Sequence, residues 1–151
     1  RLVLARAVND AENLLAKRMA TPKNQLPPPE TAPPHQEGEL VSHLDESHPG
    51  KVFSAEPGET TREARTHYRV VKRTGSLTLV ELTLVTGRRH QIRVQLSDIR
   101  CPIIGDEKYS ARTDPAKRLG LHACRLGFPH PVTKKEMRFE SPLPPVLAKL
   151  V

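Results

Sequence analysis

The stretch Thr86-Gly87-Arg88-Arg89-His90-Gln91-Ile92-Arg93 places three guanidinium groups, an imidazole and a carboxamide within a few residues of one another. Glycine permits a tight exit from a preceding strand. A helix starting there offers open backbone N–H groups to an anion, and the arginines add fixed charge. The chemistry this favours is the holding of a phosphate or carboxylate beside a sheet, although composition alone fits a solvated basic face equally well. Lys134 and Lys135 sit in an expected β-turn as further phosphate contacts, with a plain exposed loop as the default. Cys101, His122, Cys124 and His130 are metal-ligating types, but they lack a Cys-x-x-Cys pair, and no zinc site is expected.

The elements around this stretch follow from local pattern. Leu77 to Val85 is rich in β-branched residues and leucine, Thr66 to Lys72 alternates, and Arg73-Thr74-Gly75 supplies a turn, so a hairpin with one buried face is expected. His90 to Ile99 reads as a short helix with Ile92, Leu96 and Ile99 in one apolar stripe. Arg89, Arg93 and Arg100 should lie together along its flank. Upstream, Leu2 to Ala5 reads as a buried strand. A helix is expected to follow, capped by Asn9 with Glu12 completing a capping box, and carrying Val8, Ala11, Leu15 and Met19 at helical spacing. Six prolines between Thr21 and Pro34 make an extended spacer. Glu39 to Val41, Lys51 to Phe53, Leu121 to Leu126 and Met137 to Phe139 read as short strands, and the proline-rich end as loop. Strands and helices interleave without a β-α-β rhythm, so the expected fold class is α+β with a mixed, mostly antiparallel sheet flanked by helices.

Composition narrows the partners. The chain has 151 residues, 24 Lys plus Arg against 17 Asp plus Glu, and a net charge of +7. With a pI near 9.8, a polyanion is the expected partner, nucleic acid before membrane. No apolar run approaches the ~18 residues of a membrane span, and no signal sequence opens the chain. Two isolated cysteines do not make a disulfide framework, which favours a reducing compartment. The first residue is Arg1, and residues 1–151 are expected to be a partial domain cut from a longer protein.

Leu82-Thr83-Leu84-Val85-Thr86-Gly87-Arg88-Arg89-His90-Gln91-Ile92-Arg93-Val94 resembles the hallmark of RluA-type pseudouridine synthases. The resemblance continues through Pro102-Ile103-Ile104-Gly105-Asp106-Glu107-Lys108-Tyr109, Leu121-His122-Ala123, Leu126 to Pro131 and Phe139 to Pro144. It also takes in Ala64 to Val70 and Leu2 to Met19. It implies isomerisation of uridine to pseudouridine in structured RNA, with no metal and no organic cofactor. The target base is flipped from its stack beside an essential aspartate, which an arginine holds ionised. By motif position that arginine is Arg93. Arg88, Arg89, His90, Gln91, Lys108, Lys134 and Lys135 are then the expected RNA contacts. Asp106 and Tyr109 could form an acid–base pair, but Asp106 reads better as a buried carboxylate accepting backbone N–H groups near a turn.

Ribosomal RNA leads the implied substrates, ahead of transfer and messenger RNA. Ribosomal particles or their assembly proteins, in the cytoplasm or a mitochondrion, are the implied setting, and no membrane is involved. The family's His-Arg-Leu-Asp element, followed by Thr-Ser-Gly, belongs just before Leu2 and is not among these residues. His43-Leu44-Asp45 lacks the Thr-Ser-Gly and reads as a turn carboxylate. The family's tyrosine strand is replaced by the proline spacer, and Tyr68 reads as core packing. Gln95 stands where the family usually has histidine. Two function classes therefore stand: an active synthase whose aspartate lies in further sequence, and an inactive RNA-binding relative serving as a ribosome assembly or structural factor.

Overall fold

Within the fourteen-residue strand Thr61–Thr74, burial alternates from Ala64 to Val70. Ala64, Thr66, Tyr68 and Val70 are buried on one face, while Arg65, His67 and Arg69 turn to the other. The computed structural model describes residues 2–9, 33, 35–75 and 77–151. In chain order its strands are β1 (Leu2–Asn9), β2 (Glu37–Asp45), β3 (Phe53–Ala55), β4 (Thr61–Thr74), β5 (Leu77–Leu84), β6 (Leu121–Pro129) and β7 (Glu136–Glu140). Helix α1 (Gln91–Asp98) and a 3-10 turn (Glu107–Tyr109) lie between β5 and β6, and α2 (Pro145–Ala148) follows β7. Among the described residues no helix is long and apolar enough to cross a membrane.

The strands form one sheet in the order β3-β2-β4-β5-β1-β6-β7. β1 is parallel to both β5 and β6, and every other pairing is antiparallel. The expected mixed, mostly antiparallel α+β fold is what the chain adopts. The β4–β5 hairpin turns at Gly75, whose φ of +49° a side chain would resist. Because β5, β1 and β6 run the same way, the loops leaving β5 and β6 emerge at the same end of the sheet.

Helix α1 lies across the buried face of β4 and β5. Ile92 and Leu96 pack with Tyr68, Val70, Val80, Leu82 and Ile103, and Ile99 flanks them, as the expected stripe requires. Leu82 and Leu96 are fully buried, each removal from water contributing about 1.5–3 kcal/mol. Tyr68 is a core residue, and its ring lies so close to Gly38 that a Cβ there would stand 2.8 Å from it. A second cluster joins Leu79, Ile104, Ala116 and Leu147 of α2.

Three expectations change. β2 is nine residues long rather than three, because Glu37 to Asp45 runs in register against β4 over its whole length. Val8 and Asn9 continue β1, opposite Thr83 and Leu126, so Val8 belongs to a strand rather than to a helical stripe. The helix expected beyond Asn9 and the proline spacer, Pro33 apart, lie outside the described residues. The proline-rich end is not loop throughout: Pro145 opens α2, where its missing N–H costs nothing.

Candidate functional site

Two glutamines hold the start of α1 against the sheet. Gln91 accepts the Thr86 hydroxyl (2.9 Å) and the Arg88 N–H (3.0 Å), and donates to the Arg65 carbonyl (2.8 Å) and the Thr66 hydroxyl (2.9 Å). One turn on, Gln95 accepts the Thr66 hydroxyl (2.6 Å) and donates to Leu40 O, Ser42 Oγ and Ala64 O. Both glutamines are buried. Arg93 lies between them in sequence, turned about 200° from Gln91 at 100° per residue, and so points away from β4. His90 takes the left-handed conformation (φ 56°) at the helix N-cap, which turns the chain sharply into α1.

Arg93 meets Asp106 in a two-pronged ion pair: Nε to Oδ2 at 2.8 Å and Nη2 to Oδ1 at 2.7 Å. The Asp106 side chain is 1% exposed and that of Arg93 20%. The guanidinium carbon lies 4.9 Å from the centre of the Tyr109 ring. Tyr109 is itself buried. Its hydroxyl accepts the Val52 N–H (3.1 Å) and lies 2.8 Å from His90 Nδ1. Burial first, then the charges of Arg93, Lys108 and Arg89, hold His90 below its ordinary value, so it is neutral at physiological pH. The hydrogen bond to Asp106 raises the Arg93 pKa against the opposing effect of burial. The arrangement is a rigid, permanently charged guanidinium backed by a carboxylate and an aromatic ring.

The other expected site residues divide. Arg88 is exposed, with Nε on the Glu63 carbonyl (3.2 Å). Arg89 ties down the β2–β3 loop, its Nη2 reaching the Glu46 and His48 carbonyls at 3.1 Å each, and its N–H reaching Glu46 Oε1 at 2.6 Å. Lys108 donates to the Gly50 carbonyl. Lys134 and Lys135 are exposed in the β6–β7 loop, at the same end of the sheet as Arg88 and Arg89. Gln91, expected among the RNA contacts, has its amide consumed inside the protein, which leaves nothing for a ligand. The expected alignment of Arg89, Arg93 and Arg100 does not form, because α1 spans only Gln91–Asp98 and Arg100 sits beyond it with φ 60°. At Asp106 a guanidinium takes the place of the expected backbone N–H groups. Asp45 is a turn carboxylate, accepting the Ser47 N–H at 2.8 Å.

Cys101 is in the core, its thiol pushed up to about 11 by burial. His122 Nε2 lies 3.2 Å from the Ser141 carbonyl, and His130 Nδ1 accepts the N–H groups of Val132 and Thr133. Among the described residues no group of three or more His, Cys, Asp or Glu is placed to hold a metal.

A fold of this kind, with an arginine–aspartate ion pair on the helix that follows a strand, has clear relatives. The family model for RNA pseudouridylate synthase matches residues 7–98. The chain belongs to that family. It is 38% identical over 104 residues to the uncharacterized RNA pseudouridine synthase YjbO of Bacillus subtilis, covering 69% of this chain and 37% of that one. It is 34% identical over 128 residues to ribosomal large subunit pseudouridine synthase D of Pasteurella multocida, covering 76% and 40%. The solved structure of human RNA pseudouridylate synthase domain containing 4 superposes with a TM-score of 0.56 at 28% identity, over 75% of this chain and 54% of that one. The chain thus spans well under half the length of these curated relatives.

Sequence pattern offers Asp106 and Tyr109 as an acid–base pair or, in the better reading, Asp106 as a buried carboxylate near a turn. The structure makes them the surroundings of Arg93. The available signal is that Asp106 and Tyr109 fall in Pro102 to Tyr109, the stretch of the resemblance that follows the one carrying the arginine.

Proposed function

We propose that the chain is the part of an RNA pseudouridine synthase that supplies the arginine of the active site and a share of the RNA-binding face. The reaction is the isomerisation of uridine in structured RNA: the bond from C1′ to N1 of the base breaks, one from C1′ to C5 forms, C5 gives up its proton and N1 takes one. Ribosomal RNA is the substrate, a reading supported by relatives named as ribosomal large subunit synthases. The observation that carries it is the Arg93 guanidinium, which lies within the segment 7–98 that matches the family and is fixed by Asp106 and Tyr109 from beyond that segment.

Arg93 holds an active-site carboxylate ionised by charge pairing. Arg88, Arg89, His90 and Lys108 lie around the α1 entrance, with Lys134 and Lys135 on the neighbouring loop, and bind the sugar–phosphate strand on either side of the flipped base. The protein works with ribosomal particles of the cytoplasm or a mitochondrion, which cell fractionation tests.

The test is base-resolution pseudouridine mapping of RNA treated with the full-length protein. A new pseudouridine that disappears with Arg93→Ala, while RNA affinity stays within a few fold, is the expected result. RNA binding with no new pseudouridine would instead establish the inactive RNA-binding relative that assists ribosome assembly.

A further inference from the structure

We propose that Asp106 and Tyr109 are positioning residues that lock the Arg93 guanidinium with its Nη1 edge presented to an oxyanion. The inference rests on the functional reading above and adds to it two residues that act through Arg93. Arginine has five N–H donors in a planar fork. Asp106 occupies Nε and Nη2, the side of the fork that a carboxylate matches in two parallel bonds. The Tyr109 ring sits against the guanidinium carbon, so rotation about the long side chain is blocked by carboxylate and ring together. No hydrogen bond ties Nη1 to any of the described residues, and the side chain keeps part of its surface open.

Each support is fixed in turn. Tyr109 is held by the Val52 N–H and His90. Asp106 follows Gly105, whose φ of +71° and 2.3 Å approach of a would-be Cβ to the Arg118 carbonyl admit no other residue without movement of the chain. An ion pair this buried adds little to stability compared with an apolar pair of the same volume. What it does supply is direction: a freely rotating arginine would have to be ordered at every turnover, and a locked one is already in place.

The oxyanion is a carboxylate of the protein or a phosphate of the RNA, and the measurements separate the two. Full-length wild-type, Asp106→Asn and Asp106→Glu proteins are compared by the Nε–H resonance of Arg93, by RNA affinity across a salt series, and by the single-turnover rate of pseudouridine formation. The wild type should show a slowly exchanging, displaced Nε–H signal that Asp106→Asn abolishes. For a carboxylate partner, Asp106→Asn should lower the rate at least tenfold, with affinity and salt slope unchanged. For a phosphate partner the salt slope should also flatten. Asp106→Glu, which keeps the charge, should recover part of the rate.

A rate for Asp106→Asn within twofold of wild type at an unchanged salt slope, or an Nε–H signal indifferent to the substitution, overturns the proposal. If Asp106→Asn does not fold, a fully wild-type rate and signal for Tyr109→Leu overturns it instead. If the wild type forms no pseudouridine, the functional reading fails. Positioning is then judged on the Nε–H signal and the salt slope.

Discussion

Replacing Gln95 with alanine should loosen the helix that carries Arg93, and the cost can be worked from its contacts. Gln95 is 2% exposed and bridges β2, β4 and α1 by four hydrogen bonds. Without it the Thr66 hydroxyl, which is fully buried, still receives the Gln91 amide but has no acceptor for its own proton. A buried donor left so costs about 1–3 kcal/mol. The Leu40 and Ala64 carbonyls suffer less, since each oxygen has a second lone pair. The vacated volume adds a packing loss, and the sum is about 2–4 kcal/mol.

With a urea slope of about 2 kcal/mol per molar, the unfolding midpoint should fall by about 1–2 M. Gln95→His should recover about half, since an imidazole offers one donor and one acceptor where the carboxamide offers two of each. Equilibrium urea unfolding followed by circular dichroism is the measurement. A loss below about 0.5 kcal/mol for the alanine variant, the level of an ordinary surface change, would show that the apolar stripe alone holds α1 and that the carboxamide clamp is incidental.

The double variant Arg88→Ala, Arg89→Ala should flatten the salt dependence of RNA binding by roughly 0.7 unit of slope for each single-strand phosphate it no longer neutralises; an unchanged slope in filter binding removes this loop from the RNA face. Gly105→Ala should abolish or severely weaken folding, since its Cβ would meet the Arg118 backbone, whereas Gly50→Ala, at φ +82° with open space around it, should cost only about 1 kcal/mol of strain; equal thermal shifts would contradict the packing around Asp106. His90 is depressed in the folded state, so the unfolded chain binds its proton first as pH falls. Stability is therefore full above about 6.5 and declines below it, and urea midpoints between pH 7 and 5 should fall less steeply in His90→Asn, which tolerates the left-handed backbone, than in wild type.

What could be read in advance was whatever local pattern decides. The β4–β5 hairpin showed because one-sided burial forces a period of two, and α1 because Ile92, Leu96 and Ile99 need one face. The sheet order was hidden, since parallel placement of β1 between β5 and β6 depends on partners distant in sequence. The same limit explains the basic stretch. Read along the chain, residues 88–93 form one cationic cluster; folded, each cation is assigned by groups far away. Glu46 and the His48 carbonyl take Arg89 into loop anchoring, the Glu63 carbonyl steers Arg88, and Asp106 fixes Arg93. Gln91 shares the stretch yet belongs to the interior, because its position one turn before Gln95 puts both amides on the side facing β4. Spacing therefore located the cationic stretch, while the division of labour within it was set by acceptors contributed by β4, the β2–β3 loop and the turn before Tyr109. The residue best suited to meet an oxyanion is accordingly the one whose remaining donors the fold has already constrained, rather than the most exposed arginine of the three.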